Sequence, residues 1–492
     1  MKSNKNNFLR LISLFILTVL LFATVACSSG TSSQETTGIG EPIDIGAETA
    51  EEGLQYTAEL EQYEGYKFRF LNVIDDLWGN SSVQRLDFDE EPADKLSEAI
   101  YIRNRKIEEE LDIKIQVKNK LMIFDLGKEL NRSVMAGEDE YDTAFICNNS
   151  LFNTKNSVVN LHDVQSIALE QVWWDPSYVE SMTINGNLPG VMGYINFWGQ
   201  IFVASMQFNR SMMVNYNLEL PYDLVREGNW TFDKMYEYMS NVVNLNGDDS
   251  FSPDIHGNCI YGFVGGNDEP ALTSIQASGA EFIIKDKDSF PQVNENLNTL
   301  VDAYQKLFEV LKGDGYFALS NTAELMGTDD IFVRQGRGLF SEDSIECLIS
   351  SVYRESELEY GVLPLPKYDE TIADYRSPLS QYGMVITIPV TNKDTERTGK
   401  ILDYMSFCGY TDVYPVLQEM MCYKGIRDDD SIEMLDIIFQ SKYADIGYLC
   451  GWTINVYNNI VKGLISKNEE IISKIEKERE IVQTKIDKYF ED

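Results

Sequence analysis

Residues 190–231 read GVMGYINFWGQIFVASMQFNRSMMVNYNLELPYDLVREGNWT. Within them Ile201–Phe208 is short, almost continuously apolar and rich in strand formers. Such a run suits a strand covered on both faces, inside a parallel or mixed sheet. Gly190–Trp198 holds a second strand-like piece and ends in a polar-aromatic turn, Asn196-Phe197-Trp198-Gly199. Asn209–Leu218 reads as a short helix, and Pro221-Tyr222 turns the chain. Thr231 is placed as an N-cap, with Asp233 in the first turn, where the helix dipole favours an acid. The apolar strand is expected to carry the chain out of one α/β lobe and into another.

Before this crossing the pattern is regular. Tyr66–Val73 alternates as a strand, and Asp75-Asp76-Leu77-Trp78-Gly79 reads as the loop after it. Pro92–Leu111 places Leu96, Ala99, Ile100, Ile107 and Leu111 on one helical face, with Arg103 completing the spacing. Asp112–Val117 is a strand, Asp125–Ala136 a helix and Tyr141–Cys147 a third strand ending at Asn148-Asn149-Ser150. Strands alternating with helices imply a parallel sheet with helices on its faces.

After the crossing the same logic repeats. Phe232–Val243 and Asn294–Lys312 read as helices. Strands fall at Ile260–Val264, within Ile331–Phe340 (running into Ser341-Glu342-Asp343) and at Tyr360–Leu363. Met384–Ile388 reads as a return crossing, and Tyr448–Trp452 as a third pass. Ser431–Phe439 is a helix preceded by three aspartates, read as capping. Asn459–Phe490 carries an amphipathic helix or helix pair. The expected division is 65–203 with 387–445 in the first lobe, and 204–386 with 446–492 in the second.

The chain has 492 residues, 43% of them apolar, and a formal charge of −38. Length permits two or three domains. The charge excludes nucleic acid as a partner, because phosphates need Lys and Arg. Two histidines, His162 and His256, stand in no motif, which argues against a histidine zinc site or a Ser-His-Asp triad. No cofactor is expected. Six cysteines beyond Cys27 are scattered without a CxxC and read as buried thiols.

Met1–Ala26 has a basic start (Lys2, Lys5, Arg10), an apolar core at Leu11–Ala23 and small residues after it, the pattern of a secretory signal. Thr24-Val25-Ala26-Cys27 resembles the lipobox of bacterial lipoproteins, with Thr24 standing where that family usually has Leu. The resemblance implies acylation of Cys27 and a hold on the outer face of the cell membrane. Residues 27–64 are then a flexible tether, rich in Ser, Thr, Gly and Glu.

Four stretches carry a wider resemblance: DKLSEAIYIRNRKIEEELDIKI (Asp94–Ile115), YDTAFICNNSLFNTKNSVVNLHDV (Tyr141–Val164), FNRSMMVNYNLELPYDLVREGNWTFDKM (Phe208–Met235) and YGVLPLPKYDETIADYRSP (Tyr360–Pro378). The chain resembles the extracellular solute-binding proteins of carbohydrate ABC transporters, the group related to maltose-binding protein. That family implies a type II periplasmic-binding-protein fold: two α/β lobes, crossing hinge strands and a ligand cleft between the lobes. It also implies a non-enzymatic, monomeric protein that hands a sugar or oligosaccharide to an ABC permease. Its ligand contacts vary with the substrate, so no binding residue carries over by motif.

Candidate contacts come from chemistry instead. A pyranose presents a face of C–H bonds and a rim of hydroxyls. The first suits aromatic rings, and the second needs polar partners once water is excluded. In open α/β sheets ligands sit beyond the carboxyl ends of the strands. Residues of the right kind at such positions are Asp76, Trp78, Asn148, Asn196, Trp198, Glu342, Asp343, Tyr382 and Trp452. The alternatives are a lipid-anchored glycoside hydrolase, which needs two facing carboxylates, a binding protein for a peptide or other polar solute, and a sensor presenting ligand to a receptor kinase. The loop at Asn246, Asp248 and Asp249 lacks the spacing of an EF-hand and reads as polar surface.

Overall fold

Two sheets organise the protein, each a ladder that the sequence pattern foreshadows. The computed structural model describes residues 54–74, 81–266, 269–286, 289–319, 328–422, 426, 429–468 and 471–491. The signal segment, Cys27, the first part of the tether, Asp76 and Trp78 lie outside these residues.

The strands in chain order are β1 (Tyr66–Val73), β2 (Ile113–Lys120), β3 (Thr143–Cys147), β4 (Ala204–Asn209), β5 (Tyr261–Gly265), β6 (Ile283–Ile284), β7 (Gln292–Val293), β8 (Phe317–Leu319), β9 (Gly338–Ser344), β10 (Tyr360–Leu363), β11 (Ser377–Pro378), β12 (Met384–Thr387) and β13 (Lys442–Tyr443). The first sheet has the order β12-β3-β1-β2 and the second β10-β4-β9-β5-β8. In the first, β1 pairs in parallel with β2 and β3, and β12 returns antiparallel to β3. In the second, β4 is antiparallel to both neighbours, whereas β5 is parallel to β8 and β9. Each sheet carries helices, giving the two α/β lobes of the fold.

The crossing strand starts later than its apolar run suggests. Trp198–Ile201 is a short helix and the strand is Ala204–Asn209, with all six residues buried. The asparagine at position 196 explains the difference. Its side-chain oxygen accepts from the Trp198 backbone N–H at 2.8 Å, which starts a helical turn before the strand can begin. Thr231 is the N-cap of Phe232–Val242, its hydroxyl accepting from Lys234 N–H.

Sheet membership moves three boundaries. Met384–Thr387 pairs with β3, so the second crossing precedes Met384, and residues 384–386 belong with the first sheet. The helix Asp429–Gln440 packs with the second sheet: Ser431 bonds the Tyr222 hydroxyl (2.7 Å), and Arg226 pairs with Asp430 and Glu433. The stretch 448–452, expected as a third pass, lies beside the helix Ile446–Leu449 instead, and β13 before it pairs with β11 of the second crossing. Residues 54–64, expected to be free tether, also pack on the first lobe. The Tyr56 ring sits among Trp173, Tyr404 and Phe407, and its hydroxyl bonds Asp403 at 3.1 Å.

The two crossings and β13 are laced by backbone hydrogen bonds. Ser380 N–H donates to the Phe202 carbonyl (3.0 Å), Leu379 N–H to Tyr443 (2.9 Å) and Ser377 N–H to Ser441 (2.8 Å). Beside them Lys442 Nζ meets Asp175 at 2.6 Å and Gln200 Oε1 at 2.6 Å, with both charged side chains under a tenth exposed. Burial alone would raise the Asp175 pKa. The Lys442 ammonium outweighs it and holds the carboxyl below its ordinary value. Arg103, on the buried face of its helix, is fully buried and donates to the Ile195 carbonyl at 2.9 Å, which fixes the approach to the first pass.

Removing one member of a buried pair leaves the other uncompensated, at a cost of about 3–5 kcal/mol. Lys442→Met should therefore lower unfolding stability by about that amount in denaturant titrations, and adding Asp175→Asn should restore part of it.

Candidate ligand-binding site

A cavity of about 380 Å³ lies against the laced crossings. It sits at the carboxyl ends of β5 and β9. Because β4 runs antiparallel to β9, the amino end of β4 opens at the same rim. Its walls are Phe202 and Ala204 from the first pass, Pro378–Ser380 and Tyr382 from the second, Glu342–Ser344 and Glu346 from the end of β9, Glu269, Thr273 and Gln276 with their apolar neighbours from the helix after β5, and Tyr448. This is the position that the strand-end rule assigns to ligands.

Three expected residues meet here: Glu342, Asp343 and Tyr382. Glu342 is 5% exposed, and Asp343 and Tyr382 are half-buried. Tyr382 takes an edge-to-face contact from Phe124 at 5.9 Å. Phe124 follows β2 of the first lobe, in a stretch where Leu121 is 78% exposed. One aromatic ring of the first lobe thus touches Tyr382 at the cavity's edge.

Two more stand directly behind the wall. Trp198 is fully buried, stacks on Phe202 at 4.4 Å and donates from Nε1 to the Tyr382 carbonyl at 2.9 Å. Asn148 donates to the Ser380 carbonyl (3.1 Å) and accepts from the Tyr178 hydroxyl (2.8 Å), while its backbone N–H donates to Gly383. Their polar groups are spent on the crossing segment. They position the wall and do not line the cavity. Asn196 lies one layer further back, where its side-chain oxygen accepts from the Trp198 N–H. Trp452 packs elsewhere, with Phe152, Tyr489 and Phe490 against the C-terminal helix, at centroid distances of 5.9, 5.7 and 6.2 Å.

The wall residues that sequence reading passed over are Phe202, Glu269, Thr273, Gln276, Glu346 and Tyr448. Phe202 was read as strand core. Glu269 follows Gly265-Gly266 at the end of β5, so the strand-end rule could have found it. Tyr448 and Gln276 are brought in by tertiary packing: Gln381 donates to the Tyr448 hydroxyl at 3.0 Å, and Gln276 reaches buried Asp445 at 3.4 Å.

The wall is acidic. Burial pushes the Glu342 carboxyl well above its ordinary pKa, and the charges of Glu269 and then Asp343 push it the same way; the Thr273 hydroxyl opposes them. Among the described residues, no Lys, Arg or His lines the cavity, and no group of three or more His, Cys, Asp or Glu is arranged to hold a metal ion.

No family model matches the sequence, and no curated protein matches it. Solved structures do match. The sugar-binding protein MalE of Xanthomonas citri aligns with a TM-score of 0.58 at 11% identity, over 86% of this chain and 98% of that one. The cyclic α-maltosyl-1,6-maltose binding protein of Arthrobacter globiformis gives 0.57 at 11% identity, over 86% and 99%. An ABC substrate-binding protein of Listeria monocytogenes in complex with cycloalternan gives 0.53 at 12% identity, over 87% and 99%.

The folded protein holds a proton at Glu342 that the unfolded chain gives up near the ordinary carboxylate value. Its contribution to stability is therefore present at low pH and is lost as pH rises toward the raised folded value. Glu342→Gln removes that titration. The variant's melting temperature relative to the native chain should rise as pH increases above the ordinary carboxylate range, and a difference independent of pH would show that Glu342 titrates normally. The two lobes and the crossing strands, with the likeness to these solved structures, give this chain a type II periplasmic-binding-protein fold.

Proposed function

We propose that this protein captures a sugar or oligosaccharide in the cavity on the crossing strands and delivers it to an ABC permease for import. The observation that carries the reading is the position of that cavity. It lies at the strand ends, on the hinge, in a fold whose solved relatives include proteins named for maltose-type sugars and one bound to cycloalternan. Its volume falls at the small end of the range of about 300–1,000 Å³ for small-molecule sites. Phe202, Tyr382 and Tyr448 offer ring faces to C–H surfaces, while Glu342, Asp343 and Gln276 offer partners to hydroxyls. Ligand would select the closed arrangement of the lobes by touching both.

Met1–Ala26 acts as the secretory signal in this reading, and acylated Cys27 is the membrane anchor, with the protein a monomer on the outer face of the cell membrane. No helix of the described residues is long and apolar enough to cross a membrane, and each buried acyl CH₂ contributes about 0.8 kcal/mol to membrane hold. Cys27→Ser should shift the protein from the membrane fraction to the medium without changing its ligand affinity.

Calorimetric titration with a panel of neutral and substituted mono- and oligosaccharides tests the central reading. Saturable binding by at least one of them, with no new reducing ends on prolonged incubation, is expected. Release of reducing ends would favour a hydrolase using the cavity carboxylates, and binding of peptides alone would overturn the sugar reading.

A further inference from the structure

We infer that the last turn of the helix Ile472–Glu491 is a latch between the lobes, placed on the ligand side of the hinge, where it limits how far they open. The inference rests on the two-lobed fold and not on the identity of the ligand. The helix belongs to the second lobe. Ile475, Val482 and Ile486 are buried along it. Gln483 accepts from the Val293 N–H at 3.0 Å, and Arg479 donates to the Glu295 carbonyl at 3.0 Å. Phe490 packs edge to face on Phe290 at 4.7 Å.

Its final turn reaches the other lobe. Tyr489 packs edge to face on Phe152 at 5.4 Å, and Trp452 completes the cluster at 5.9 Å from Phe152 and 5.7 Å from Tyr489. Phe152 lies just after β3 and the short helix Asn148–Leu151, so it moves with the first sheet. Lys155, from the same segment, places its ammonium 4.1 Å from the centre of the Tyr489 ring and donates to the Tyr489 carbonyl. Carbonyls in the last turn of a helix have no partner within it, and the dipole there favours a cation. The first lobe thus supplies the cap for a helix of the second. Lys285 makes the reverse contact. From the second lobe it donates to the Glu180 and Thr183 carbonyls, at 3.1 and 3.0 Å, where the helix Pro176–Met182 ends.

Position gives the latch its sense. Phe152 stands near the carboxyl end of β3, the end at which Asn148 meets the second crossing at Ser380. Trp452 stands just beyond Tyr448, which lines the cavity. The cluster therefore lies beside the cavity and in front of the laced crossings. A contact in front of a hinge is stretched when the lobes swing apart and kept when they come together. A gap of about 1 Å already forfeits up to half of a packing contact's attraction. The latch thus resists opening over a short range and then lets go. The backbone bonds that lace the crossings involve none of these residues, so the latch can be released with the hinge intact.

The test reads the distance between lobes in the free protein. Spin labels are placed at Leu121→Cys on the first lobe and Val214→Cys on the second, both exposed, in the mature chain carrying Cys27→Ser. Double electron–electron resonance gives the distance, and the radius of gyration from small-angle X-ray scattering is the label-free check. Tyr489→Ala with Phe490→Ala should lengthen and broaden the distance distribution and raise the radius. Tyr489→Phe keeps the ring and the carbonyl and should change neither. Because the double variant could loosen the helix from its own lobe, Lys155→Met removes the cap from the other side and should move both readouts the same way, by less. Distances unchanged or shortened in both the double variant and Lys155→Met overturn the inference. Maltose is added in a parallel arm. Its dissociation should be about threefold faster in the double variant. No response of the native chain to maltose counts against the saccharide reading for that sugar and leaves the free-protein distances to decide the latch.

Discussion

Three short stretches of chain, bonded to one another side by side, are what the rest of this protein depends on. Phe202, Leu379–Ser380 and Ser441–Tyr443 exchange backbone hydrogen bonds, and a nearly buried Lys442–Asp175 pair ties β13 to the first lobe. Backbone polar groups at such a junction are shielded from water, so each must find a partner there. That requirement sets the register of the crossings. The register in turn fixes which side chains face the space between the lobes.

The cavity follows from this lacing. Its floor is made of the crossing residues themselves, and its acidic side is the end of β9, paired with β4 from Ala204–Ser344 to Phe208–Phe340. Alternation along β9 sends Glu342 inward and leaves Asp343 half-buried at the rim. A site built on the hinge floor feels any change in the angle between lobes. A ligand that bridges Tyr382, with its Phe124 neighbour, and the β9 carboxylates would therefore bias that angle.

Much of the fold was legible. Tyr66–Val73 and Tyr360–Leu363 coincide with observed strands, and Thr231 caps the helix expected of it. Failures came where short-range signals compete with apolarity. Ile201–Phe208 looks like continuous strand because its residues favour one, yet the turn begun at Asn196 runs into the short helix Trp198–Ile201 and delays the strand to Ala204. Only some of the candidate residues border the cavity, for a different reason. Glu342, Asp343 and Tyr382 lie at strand ends or on a crossing, where a topological rule can find them. Trp198 and Trp452 were chosen as large aromatics, and here both rings are packed as structure, one behind the wall and one under the C-terminal helix. Tyr448 and Gln276 enter the wall only through long-range packing, which no local pattern encodes.

The most direct test of the account is hydrogen–deuterium exchange on the mature chain, with and without the saccharide that calorimetry selects. The account predicts protection in four segments that are distant in sequence: 202–204, 269–276, 342–346 and 378–382. Protection confined to another surface, such as the shallow depression at 333–336 and 351–358, would contradict it.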